Sequence, residues 1–162
     1  MAVDVTTGKL ADFDGFVRRF FTSYHPEYNG NQPVIHPQPA GVAVTDGSGR
    51  FVGWHAISIL RVGEGPQGES RVYFYNPNND SGQDWGQGVT VSTSGNGERY
   101  GEASLPFEQF TARLYLFHDD PVKAEPATAA VPNDLVARIQ KMTLASWAAD
   151  RHPQDLPLAA SG

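Results

Sequence analysis

Two side chains in this sequence have the types and setting for proton-transfer chemistry. His55 stands inside a long β-branched and aromatic run, RFVGWHAISILRV at 50–62, and Asn76 closes the next such run, RVYFYN at 71–76. An imidazole can serve as a general base towards a thiol, or as the imidazolium partner of a thiolate. For either role it needs a further group to fix its tautomer and ring angle. A carboxamide oxygen does this without adding charge. Trp85, in the polar stretch after Asn76, is placed to shield such a hydrogen bond from water. The chain contains no cysteine, so it cannot supply a thiol nucleophile, a disulfide or a thiolate metal ligand from its own residues.

Bringing His55 to Asn76 requires a β-hairpin. The stretch EGPQGES at 64–70 has the composition of a turn, and antiparallel pairing of 50–62 with 71–76 would make the two segments neighbours about 5 Å apart. GVAVT at 41–45 reads as a preceding strand, with Asp46, Gly47, Ser48 and Gly49 supplying the turn. VTVST at 89–93 reads as a further strand. SLPFEQF at 104–110 reads as a short helical turn that leads into a last strand, TARLYLFHD at 111–119. Faces alternate along a strand, so Tyr73, Phe74 and Tyr75 cannot all point inward. Either the sheet is covered on both sides or an aromatic patch is exposed.

Helices bracket this block. Phe13, Phe16, Val17, Phe20, Phe21 and Tyr24 recur at helical spacing, with Asp12 as the expected N-cap and His25-Pro26 as the stop. Residues 25–40 read as an extended loop. A Pro/Ala-rich linker at 120–132 leads to a second helix over 134–149, with Asn133 as N-cap and Leu135, Ile139 and Met142 on one face. The expected fold class is α+β: an antiparallel β-sheet or barrel flanked by an N-terminal and a C-terminal helix.

Composition excludes several function classes. The 162 residues carry a net charge of −6, with 40% hydrophobic and 19% charged residues. Without a Lys/Arg run there is no means of releasing counterions from a phosphate backbone, so nucleic acid is not an expected partner. No apolar run approaches the roughly 20 residues that span a bilayer, and no signal peptide is visible; a cytoplasmic protein without membrane contact is expected. Asn78, Asn79, Asp80 and Asp84 gather oxygen ligands in one loop. Their spacing is not that of an EF-hand and no glutamate follows at its twelfth position, so a solvated turn is the main reading and a calcium site the alternative. His25, His36, His118 and His152 show no metal-ligand spacing, so they are not expected to form a zinc site, and apart from the calcium alternative no cofactor is expected.

The segments GWHAISIL, YFYNPNN and QDWGQG, followed by SLPFEQF and LYLF, resemble in that order the C-terminal half of papain-like cysteine peptidases, and most of all the calpain-like variety. The resemblance covers roughly 50–119. It implies His55 as base or imidazolium, Asn76 as its orienting group, Trp85 as the shield, and the β-rich subdomain of the papain fold over 1–119, with linker, helix and tail at 120–162. The sequence departs from the pattern in three places. Trp54 separates Gly53 from His55, Asn78 stands where tryptophan would follow Asn-Pro, and the nucleophilic cysteine is missing. The resemblance thus implies a peptidase fragment or subunit that needs a Cys-bearing partner. The alternatives are a catalytically inactive relative that binds a protein or peptide, and an unrelated β-rich binding module.

Overall fold

Phe20 is the residue on which the two halves of the chain converge. In the computed structural model, which describes residues 13–45, 51–77, 90–118 and 130–143, its ring lies 5.1 Å from those of Tyr24, Phe107 and Phe117 and 5.8 Å from that of Phe110. It sits on helix α1 (Phe13–Tyr24), whose Phe16, Val17, Phe20, Phe21 and Tyr24 are all buried, as the helical spacing of these residues predicts. The helix ends one residue before His25-Pro26. Asp12 lies outside the described residues.

The sheet that α1 covers has five strands: β1 (Gln38–Thr45), β2 (Phe51–Glu64), β3 (Ser70–Tyr75), β4 (Ala103–Pro106) and β5 (Leu114–Phe117). Their order is β4-β3-β2-β1-β5, with every pairing antiparallel. Among the described residues this is an open sheet with β4 and β5 at its edges, not a closed barrel. The long run at 50–62 occupies the centre, and a glycine at positive φ, Gly68, lets the 64–70 connection turn back on itself.

Two elements between 103 and 119 differ from the sequence reading. Residues 103–106 form strand β4 instead of opening a helical turn, and the helix α2 (Phe107–Arg113) takes in what was expected to start the last strand. The reason is tertiary. Phe107 and Phe110 must reach Phe20, and a helical spacing of three puts both rings on one side. Within the described part of the predicted 89–93 strand, Ser92 makes an isolated bridge to Ser104.

The last helix, α3 (Asn133–Met142), packs on α1 and α2, and its Leu135, Val136 and Ile139 join the same buried cluster as Phe20. Asn133 is not its N-cap; Pro132 is, with no side-chain cap bond. The Asn133 side chain instead accepts a hydrogen bond from Arg18, whose guanidinium also donates to the Val131 carbonyl. Residues 119–129 and 144–162 lie outside the described residues, and with them the end of the predicted 134–149 helix.

The sheet is covered on both sides in part. Phe74 faces the helices, 5.6 Å from Phe110, whereas Tyr73 is fully buried on the opposite face. There the Arg61 guanidinium lies 3.7 Å over the Tyr73 ring. The Tyr73 hydroxyl donates to the Asn96 carbonyl. A Cβ at Gly97 would come within 2.7 Å of that hydroxyl, so the 92–102 segment can approach only because glycine stands there. Tyr75, next on this face, is half exposed. Truncating the hub should be costly: Phe20→Ala is expected to destabilise the fold by about 3–5 kcal/mol, read as a lowered urea midpoint with an unchanged m-value.

Candidate functional site

The position of His55 relative to Asn76 depends on an irregularity in the β2–β3 ladder. From the turn outwards, Glu64 pairs with Ser70, Gly63 with Arg71, Val62 with Val72 and Arg61 with Tyr73; the register then slips, so that Ile59 pairs with Phe74 and Ser58 with Tyr75. Leu60 is the extra residue of a β-bulge. Carried one residue further, the shifted register sets Asn76 opposite Ile57, on the face that His55 shares two positions along the strand. Without the bulge, Asn76 would oppose Ser58 and point away from His55.

The two side chains meet. His55 Nε2 lies 2.7 Å from Asn76 Oδ1, and both residues retain 7% exposure. A carboxamide oxygen only accepts, so Nε2 carries the proton and donates, and in the neutral ring Nδ1 holds the lone pair. Val42 is the cross-strand neighbour of His55, and Phe74 precedes Asn76 on the same face. The pair therefore sits at the margin of the helix-packed side of the sheet. Ser58 projects from the other face.

Trp85 and the oxygen-rich group Asn78, Asn79, Asp80 and Asp84 lie outside the described residues. Among the described residues no set of three His, Cys, Asp or Glu side chains could hold a metal ion, and no helix is long and apolar enough to cross a membrane. His36 and His118 stand apart from the His55–Asn76 pair.

On the outer face, the cation over Tyr73 is itself held in place. Arg61 Nε and Nη2 donate to the two oxygens of Glu102 at 3.0 and 2.7 Å. Burial opposes ionisation of Glu102, but the Arg61 guanidinium and the Arg99 backbone N–H outweigh it and hold the carboxyl below the usual glutamate range. This plate of side chains braces the stretch of ladder that contains the bulge.

A second polar centre has no motif to announce it. A pocket of about 500 Å³ opens between the end of α1, the start of β3, the β4–α2 junction and the end of α3. His25 stacks there on Phe21 at 5.2 Å and meets the edge of Phe107 at 4.6 Å. Its Nδ1 accepts the Glu27 backbone N–H at 3.2 Å. Burial lowers its pKa from the ordinary 6.5, against the pull of the Glu27 and Glu108 carboxylates. The lining comes from four separate segments of the chain, which is why spacing along the sequence cannot reveal it.

No protein-family model, curated protein or solved structure matches this chain.

Two outcomes follow from these geometries. Asn76→Ala leaves a buried imidazole N–H without its acceptor, so a stability loss of about 1–3 kcal/mol is expected. The hydrogen-bonded His55 Nε2–H is expected to exchange slowly with water in imidazole ¹⁵N spectra, and that protection should be lost in the variant. For His25, the folded state resists protonation, so the unfolded chain takes up the proton first as pH falls below about 6.5. Stability should drop through that range and level off once the folded ring also protonates. His25→Gln should flatten this part of the profile, read as urea midpoints between neutral and mildly acidic pH. The carboxylates held low, such as Glu102, act only at lower pH.

Proposed function

We propose that this chain supplies the histidine and asparagine of a calpain-like cysteine peptidase whose thiol comes from a Cys-bearing partner. The observation that carries this reading is the buried 2.7 Å hydrogen bond from His55 Nε2 to Asn76 Oδ1. It is supported further by the order of the segments around the pair, GWHAISIL then YFYNPNN then QDWGQG. With Nε2 committed to Asn76, Nδ1 is the nitrogen that would take the thiol proton. The thiolate would attack the scissile carbonyl carbon, and the Nδ1 proton would pass to the leaving amine. Water would then release the acyl group from sulfur, with His55 as base once more. Asn76 would act as the orienting group throughout, and Trp85 as its cover.

A second reading is favoured by a different observation. The chain has no cysteine, and His55 is buried to a degree that suits a structural imidazole as well as a catalytic one. On this reading the protein is a catalytically inactive relative of the papain fold that binds a protein or peptide.

Capture from native lysate on the tagged chain separates the two. The peptidase reading expects a co-purifying chain that reacts with an epoxide thiol probe. It also expects a His55→Ala bait to capture that chain while its labelling falls at least a hundredfold. A captured partner that the probe never labels, or whose labelling is indifferent to His55→Ala, leaves the binding reading standing.

A further inference from the structure

The pocket beside His25 lies at the opposite end of β3 from Asn76, six residues or roughly 20 Å along the strand, and is independent of the peptidase reading. Its lining combines two kinds of surface. Phe107, Pro106, Pro26 and Met142 provide apolar walls, while Glu27, Glu69 and Glu108 bring three carboxylates and no Lys or Arg is among the lining groups.

The carboxylates are not equivalent. Glu108 is held by Arg138 through two contacts of 3.2 Å, and Glu69 by Arg71 at 3.3 Å, with both arginines outside the lining. Glu27, on the exposed rim, makes no ion pair among the described residues, and its one side-chain partner is the neighbouring Tyr28 hydroxyl, a neutral donor that leaves the carboxylate charge uncompensated. The ordinary ligands of carboxylate groups are sorted by shape. A metal ion needs donors that converge on a point, and these do not form such a set. A guanidinium presents five N–H donors spread across a plane on an apolar stem, and it suits separated acceptors above an aromatic and aliphatic floor.

We propose that this pocket binds the arginine side chain of a peptide or protein segment, with Glu27 as the principal acceptor for the guanidinium and the Phe107–Met142 wall against the methylene stem. The pocket, of about 500 Å³, also has room for backbone flanking the arginine. Complementary charge reinforces the choice, because the chain as a whole carries −6. The field of Glu27 is felt locally: after burial, its carboxylate is the next cause that holds the Tyr28 hydroxyl above its ordinary range.

The test is a titration of the ¹⁵N-labelled full chain with the blocked tripeptide acetyl-Ala-Arg-Ala-amide, alongside its citrulline counterpart, which has the same shape without the charge, and methylguanidine. The arginine peptide should give saturable shifts at the backbone amides of His25, Phe107 and Met142, and the citrulline peptide should bind at least tenfold more weakly. Glu27→Gln should weaken arginine-peptide binding at least threefold. Asp14→Asn, an exposed acid on the first turn of α1, should leave it unchanged. Equal binding of the citrulline peptide, shifts scattered away from the pocket, or indifference to Glu27→Gln would each overturn the assignment. Methylguanidine binding as tightly as the peptide would overturn the peptide as the occupant.

Discussion

A single extra residue in a β-ladder decides which side chains of this sheet can meet. Leu60 bulges between Ile59 and Arg61, and every residue of β2 before it changes its partner on β3 by one. Side chains alternate with a strict period of two, so a one-residue slip exchanges the faces of everything beyond it. It puts Asn76 on the side of His55, and it also separates two environments along β2. Ile57 and Ile59 face the helices before the bulge. After it Val62 does, while Arg61 is turned out over Tyr73. An unbroken ladder starting from the same turn would put His55 and Asn76 on different faces.

The bulge holds its place because the sheet is packed from both sides around it. On one face Phe20 gathers α2 and β5 against α1, and Phe110 carries that contact onto Phe74 of β3. On the other, Arg61, Glu102 and Tyr73 form a compact polar plate under the 92–102 segment. A β-ribbon with one solvated face could shift register at small cost; here a shift would draw Arg61 into an aromatic core or leave Glu102 buried without its cation.

Much of this was legible from residue order. The periodicity of Phe13 to Tyr24 marks α1, its buried face and its end, and the run at 50–62 identifies the central strand. The hairpin about 64–70 follows from turn chemistry. What could not be read has a common physical origin. A bulge has no residue signature of its own when it falls on a leucine inside a β-branched run. β4 is four residues long, and α2 seven; both are set by the need to bring Phe107 and Phe110 to Phe20, which is a contact across more than 80 positions. Asn133 has the chemistry of a helix cap, and a long-range arginine takes it instead. The acidic pocket draws on residues from 25 to 142 and leaves no pattern in any one stretch.

The two border strands bear on how this molecule can be approached. β4 and β5 are four residues each; β4 ends in Pro106, which lacks an amide hydrogen, and both the N–H and the C=O of Ser104 are already taken by Ser92. Such margins offer little template on which a foreign chain could extend the sheet. Among the described residues, the β4 margin is thus closed to lateral zippering of backbones, and side chains and concavities are what that side of the molecule presents.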